Sequence, residues 1–241
     1  YNHATGNANF GYVSGNGSVS TQIDRIDYSN DTSTASPKGP FSAAYSYRAA
    51  TSTSSFGYFS GGQNPSSTVH TYIDRLDYSS DTTTASPKGN LSIACNKSAG
   101  VSSRSNGLPI GDIIYSTTAS SNQEVSGTRK TGGVDYGYFA GGQEPSGISK
   151  IDRVDFANDT STTLAKGPLS QSKTNQSAVS NFDYGYWCGG GYGSPKTSEI
   201  DRVEYSNDTA TALVKGALTA QRYYTGAAGN KDYGWIAGGF P

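Results

Sequence analysis

The chain has 241 residues, among them 31 Gly and 18 Tyr, with 33% hydrophobic residues, a mean hydropathy of -0.57 and a formal net charge of -1. With no basic run, neither nucleic acid nor an anionic membrane is an implied partner. No apolar stretch reaches the roughly 18 residues of a membrane-spanning helix, so membrane insertion is not expected. Many short, half-buried strands joined by Gly, Ser, Asn and Pro turns would give this profile; a helical bundle would not. Recurring aromatic residues argue against a disordered linker. No signal peptide is visible, and a chain without Met that begins at Tyr1 reads as a processed product or an excerpt of a longer polypeptide.

In chain order, the first repeated element is Phe10-Gly-Tyr-Val-Ser-Gly, which returns as Phe56-Gly-Tyr-Phe-Ser-Gly-Gly62, Tyr136-Gly-Tyr-Phe-Ala-Gly-Gly142, Tyr184-Gly-Tyr-Trp-Cys-Gly-Gly190 and Tyr233-Gly-Trp-Ile-Ala-Gly-Gly239. Its alternation reads as a strand, with Tyr136, Tyr138 and Ala140 on one face and Gly137, Phe139 and Gly141 on the other. Each of the first four is followed by an Ile-Asp-Arg-x-Asp/Glu-Tyr/Phe strand, an Asp-Thr turn and Lys-Gly. A further strand precedes each, as in Tyr45 to Thr51 and Arg222 to Ala228. Four antiparallel strands in a unit of about fifty residues define a propeller blade. The long interval between Asp74 and Asp152 is read as hiding a shortened unit, with Asn106 to Gly111 as its second strand and Asp112 to Ser116 as its third. Pro109 would make that unit irregular.

The glycine pair closing strand two, the aromatic closing strand three and an arginine early in strand one (Arg48, Arg222) resemble the kelch-type β-propeller family across essentially the whole chain. Kelch outer strands usually carry a Trp where this chain has Ala35-Ser36, Thr163-Leu164 or Ala212-Leu213, so blade contacts there are expected to be thinner. The Asn-Asp-Thr turns are similar to a degraded Asp-box, lacking its Gly and Trp. More loosely, the tandem Gly-Tyr-Phe-x-Gly-Gly and Ile-Asp-Arg repeats are similar to repeat proteins of phages from aquatic bacteria. The expected fold is all-β, a kelch-like propeller of about six four-stranded antiparallel blades in a single domain over 1–241. Blades are placed near 1–40, 41–90, 91–127, 128–168, 169–217 and 218–241, the third degenerate and the last incomplete. The last blade is either truncated or completed by a continuation of the chain or another subunit; five closed blades with a spare hairpin, or a longer open array, are the alternatives.

The pairs Asp24–Arg25, Asp74–Arg75, Asp152–Arg153 and Asp201–Arg202 are the most charged repeated feature. Near-identical copies suit bonds between strands and blades better than catalysis, which needs unlike groups in unlike environments. Lys38, Lys88, Lys166 and Lys215 read as solvated lysines of the outer rim. Cys95 and Cys188 give no disulfide framework, and Cys188, at the position of Ser60 and Ala140, reads as a packed thiol. With only His3 and His70, no triad or zinc site can be assembled, and no Gly-Lys-Ser/Thr phosphate loop occurs. No cofactor is expected. Turns such as Asn30-Asp31 are better explained by side-chain capping than by calcium. The sequons at Asn30, Asn158 and Asn207 matter only where secreted proteins are glycosylated.

Positions that differ between matched blades are not dictated by blade packing. They fall in two regions expected on one face. The lead-in to strand one carries Tyr45, Tyr47, Arg48, Lys97, Asn175, Arg222 and Tyr224; the loop after the glycine pair carries Gln63, His70, Gln143 and Tyr192. Aromatic rings with amides and guanidinium suit sugar recognition, and equally a protein interface. The chain therefore reads as a non-enzymatic binding or structural module outside a cell or on a virion, phage tail-associated in the most concrete version, with a glycan or other subunits as partners. The alternatives are a glycan-cleaving enzyme and a pure assembly or decoration protein.

Overall fold

The computed structural model describes residues 3–15, 19–103, 136–191, 196–230 and 232–241. Among them the chain is almost entirely β. The first sheet holds β1 (His3–Gly6), β2 (Phe10–Ser14), β3 (Ile23–Asp27) and β4 (Ser36–Pro37). The second holds β5 (Ala49–Ser52), β6 (Phe56–Ser60), β7 (Tyr72–Asp77) and β8 (Ser86–Asn90). The third joins β9 (Ala99–Ser102), β10 (Tyr136–Ala140), β11 (Ile151–Asp155) and β12 (Leu164–Ala165). The fourth comprises β13 (Ser177–Ser180), β14 (Tyr184–Cys188), β15 (Glu199–Glu204) and β16 (Leu213–Ala217), and a two-stranded sheet follows, β17 (Gly226–Gly229) with β18 (Gly234–Ala237). All pairings are antiparallel. The first strands β1, β5, β9, β13 and β17 touch in succession. They form the inner row of a propeller, while the fourth strands lie outermost.

Two expectations about register change. Strand one starts later than Tyr45 or Arg222 because the lead-in turns through a left-handed residue, Tyr47 at φ 58° or Tyr224 at φ 58°, before the ladder begins. The strand at 99–102, expected to open a short third unit, instead pairs with Tyr136–Ala140. Ser92 donates to Asp152, so the 91–98 lead-in belongs to the same blade as β11. The third sheet thus combines 91–103 with 136–168. The segments expected at 106–111 and 112–116, Pro109 included, lie outside the described residues.

The blades hold together through one joint built three times. Strand two carries a Tyr, strand three an Arg and strand four a Lys, and all three side chains reach one Asp in the strand-three-to-four turn of the following blade. Tyr12, Arg25 and Lys38 meet Asp81 at 2.8, 2.7 and 3.4 Å. Tyr58, Arg75 and Lys88 meet Asp159 at 3.0, 2.7 and 3.6 Å. Tyr138, Arg153 and Lys166 meet Asp208 at 3.0, 2.7 and 3.2 Å. Burial first, then the neighbouring carboxylate, raises the hydroxyls of Tyr12, Tyr58 and Tyr138 above the ordinary phenol range, so each stays a donor. The same tyrosines stack on the strand-three aromatics of the following blade, Tyr78, Phe156 and Tyr205, at 4.8, 4.8 and 4.9 Å. Lys38, Lys88 and Lys166 are therefore joint residues with side chains only 13–14% exposed, not solvated rim lysines. Lys215 alone of the four is exposed.

The glycine after each lysine completes the joint. Gly39, Gly89 and Gly167 donate their N–H to the backbone carbonyls of Asp81, Asp159 and Asp208 at 2.7–2.9 Å. A Cβ on Gly89 would stand 1.9 Å from the Ser161 carbonyl oxygen, whereas one on Gly216 would meet nothing within 4 Å. Gly89→Ala is accordingly expected to cost about 2 kcal/mol or more through backbone overpacking, and Gly216→Ala to stay within about 0.5 kcal/mol of the parent. Urea unfolding of the two variants checks this; equal effects would refute the joint as the reason for these glycines. At the outer strands, where thinner contacts are expected, buried Ala85, Thr163 and Ala212 donate backbone N–H bonds to the preceding blade at Pro40, Asn90 and Pro168, at 2.8–2.9 Å.

Candidate functional site

The second glycine of each pair sets the geometry of one face. Gly62, Gly142 and Gly190 have φ of +95°, +112° and +110°, a region that disfavours side chains. Their N–H groups donate to the lead-in of the following blade, at Cys95, Lys173 and Arg222, each at 2.8 Å. The loop beyond then bridges to its own blade's lead-in: Gln63 pairs with Ser46, Gln143 with Asn96 and Phe240 with Tyr223. The two variable regions are thus bonded to each other within a blade.

A second set of bonds runs between blades. Tyr47, Lys97, Asn175 and Tyr224 occupy equivalent positions, and all four are non-glycine residues with φ of 55–58°. Lys97 N–H donates to the Tyr47 carbonyl, Asn175 to Lys97 and Tyr224 to Asn175, at 2.9, 3.0 and 2.9 Å. These residues sit at the lead-ins of the inner strands, so the row runs from blade to blade along one end of the inner row. Left-handed non-glycine residues are costly and persist where surroundings enforce them. Here the inter-blade bonds do so, and the side chain is left free to differ: two tyrosines, a lysine and an asparagine.

Around this row the side chains interlock. Asn96 Nδ2 donates to Gln63 Oε1 at 2.7 Å, and Lys97 Nζ to Gln143 Oε1 at 2.8 Å while lying 5.5 Å from the Tyr47 ring. Tyr45, His70 and Tyr72 form an aromatic cluster, with His70 stacked on Tyr72 at 5.2 Å and Tyr45 at 5.0 Å from His70. Tyr223, Tyr224 and Phe240 form a second cluster. Tyr45, Tyr47, Gln63, His70, Lys97, Gln143, Arg222 and Tyr224 are all half-buried, a state that offers a face while fixing the ring or amide.

Two sequence candidates are placed elsewhere. Arg48 is 1% exposed, bonded to Asp74 at 2.9 Å and to the Phe59 carbonyl at 2.9 Å, with its guanidinium 4.5 Å from the Phe41 ring. Asn175 is 7% exposed. Neither side chain can meet a ligand without opening the blade. Tyr192 lies outside the described residues. Tyr72 and Asn96 lie in the variable stretches themselves, whereas Phe240 was missed; its signal was its place just after the last glycine pair.

The acids of the Ile-Asp-Arg strands are engaged. Asp74 accepts from Ser42 and Arg48, Asp152 from Ser92, and Asp201 from Ser170 while pairing with Lys173 at 3.3 Å. Each ties a lead-in to its own blade. Asp24, in the first blade, accepts from Gln22. Arg25, Arg75 and Arg153 leave their adjacent Asp for the next blade, while Arg202 lies 4.2 Å over the Tyr184 ring. Burial pushes the Cys95 and Cys188 thiols up to about 11, out of the range of a reactive thiolate. Among the described residues, no three His, Cys, Asp or Glu side chains cluster as metal ligands would.

No family model matches the chain, and no curated protein does. Among solved structures, that of YjhT superposes with a TM-score of 0.71 over 99% of this chain and 71% of the other, at 10% sequence identity. At that identity the likeness establishes the fold: an all-β, propeller-type protein with mostly four-stranded antiparallel blades.

Proposed function

We propose that this protein is a non-enzymatic recognition module of kelch-like type that binds a glycan through the axial face, displayed on a virion or cell surface. The observation that carries it is the left-handed row Tyr47–Lys97–Asn175–Tyr224, in which Tyr47, Lys97 and Tyr224 are half-buried and offer their side chains while Asn175 is buried and serves the backbone row alone. Its backbone is bonded identically from blade to blade, yet its side chains differ, so scaffold and chemistry are separated. Half-buried rings at Tyr45, Tyr47, His70 and Tyr224 supply flat apolar faces for sugar rings, and Gln63, Gln143 and Lys97 supply donors and acceptors for hydroxyls. The strand-three acids, already bonded to serines and cations, favour binding over hydrolysis, which needs two carboxyl groups about 5–10 Å apart flanking a glycosidic bond. The similarity of the repeats to phage repeat proteins supports the surface placement, and a tail-associated phage protein is its most concrete form.

A glycan array probed with and without calcium tests the reading. Reproducible binding is expected, lost on Tyr47→Ala and on Gln143→Ala in variants that melt at the parent temperature. Silence from folded protein would refute glycan recognition and leave the same face to a partner protein. Turnover of a bound glycan would refute the non-enzymatic assignment.

A further inference from the structure

In two blades the acid of strand three is matched by a cation carried on its own lead-in. Asp74 takes Arg48 at 2.9 Å beside Ser42, and Asp201 takes Lys173 at 3.3 Å beside Ser170; both acids and both cations are buried. The third blade breaks the pattern. Asp152 is 4% exposed and accepts from the Ser92 hydroxyl and from the Ser92 N–H at 3.2 Å. Among the described residues no cation forms an ion pair with it: Cys95 stands where the fourth blade has Lys173, and Ser98 where the second has Arg48. Around the carboxyl lie Lys150 at the entry to β11, Thr163 just before β12, and the Cys95 thiol. Two further titratable residues reach Cys95, Glu144 through its charge and His70 through its carbonyl, which accepts the Cys95 N–H at 3.4 Å. A buried carboxylate without a paired cation is costly, and a proton or hydration removes the cost. Accordingly burial raises the Asp152 carboxyl above the ordinary carboxylate range, against the opposing pull of Ser92 and Lys150.

What Asp152 holds is the stretch that carries Asn96 and Lys97, whose side chains bond Gln63 of the second blade and Gln143 of their own. The backbone there is lightly held: the N–H bonds of Cys95 and Asn96 are both 3.4 Å long, against 2.9 Å for Ser46, the counterpart of Asn96 in the second blade. We propose that the third lead-in is an acid-tightened latch: protonated Asp152 closes it on Ser92, and ionised Asp152 lets it open to water, loosening Asn96 and Lys97 with it. In the closed form a proton from solvent sits on Asp152 Oδ1 and is donated to the Ser92 hydroxyl, while the Ser92 N–H still donates to Oδ2. The second and fourth lead-ins cannot work this way, because opening them would strip Arg48 or Lys173 from its acid. A carboxyl that holds its proton more tightly when latched than when hydrated favours the latched form in acid. That advantage is lost as pH rises through the raised value. The latch is independent of what the face binds.

Hydrogen exchange of the full chain, read residue by residue by NMR between about pH 4 and about pH 8, tests this. The readout is protection at the Asn96 amide divided by protection at the Ser46 amide, a ratio in which the intrinsic pH dependence of exchange cancels. It is expected to fall at least about threefold as pH rises, each unit of tighter proton binding allowing about tenfold. Asp152→Asn, which keeps the shape without the charge, should hold the ratio level. Cys95→Lys should raise it at the upper pH by supplying the cation that the fourth blade carries. His70→Gln and Glu144→Gln should leave the parent slope in place. A level ratio in the parent overturns the proposal, as does an Asp152→Asn ratio that falls with the parent slope, or a slope that vanishes in His70→Gln. Should Cys95→Lys fail to fold, Asp152→Asn decides alone.

Discussion

Asp159→Ala is expected to lower the unfolding free energy by about 3–5 kcal/mol, because it leaves Arg75, Lys88 and the Tyr58 hydroxyl facing a joint without their shared acceptor. The control is in the same chain. Asp31 sits in the same Asn-Asp-Thr turn of the first blade and is exposed, with no blade before it among the described residues. Asp31→Ala should therefore change stability by less than about 0.5 kcal/mol. If the aspartate served only its own turn, the two variants would lose equally. Urea unfolding with a fitted m-value separates the outcomes, and a broadened transition would show the stack parting at the second-to-third joint before it melts elsewhere, as nearest-neighbour arrays can.

Trp187→Ala is expected to cost about 3–5 kcal/mol. The side chain is fully buried in β14, and its indole N–H crosses to the Ala99 carbonyl of the preceding blade at 3.2 Å. Removing it leaves a cavity between the third and fourth blades and forfeits the indole bond to Ala99. Trp187→Phe should lose less, about 1–2 kcal/mol, because Phe139 and Phe59 fill the equivalent positions in the blades before it while the indole bond is forfeited. Thermal melts followed by circular dichroism measure both. The remaining Trp235 is 55% exposed, so native Trp187→Ala protein should also emit at longer wavelength than the parent. Equal stability of Trp187→Ala and Trp187→Phe would refute the cavity argument.

The repeats made the strand content readable, since Gly-Tyr-Phe and Ile-Asp-Arg carry their alternation locally. They also pointed to the loops that share a face, because residues freed from blade packing differ from copy to copy. Arg48 shows where this fails. Its difference from Ser98 and Gln176 reads as surface variation, yet it is buried on Asp74, because another blade, the fourth, meets the same need with Lys173 on Asp201. The lysines failed for the opposite reason: Lys38, Lys88 and Lys166 look solvated until the next blade's aspartate is placed beside them.

By itself the sequence determined an all-β chain of repeated four-stranded units, because periodicity within a strand and between units needs only local and nearest-neighbour contacts. Tertiary structure alone decided which strand-one belongs with which strand-two across residues 104–135, since strand pairing is a long-range choice fixed by β9 against β10. It alone revealed that Asp81, Asp159 and Asp208 are inter-blade acceptors, whereas among the described residues Asp31 meets no such donors. Those four aspartates occupy the same turn, and what differs is whether a preceding blade brings a Tyr, an Arg and a Lys within reach.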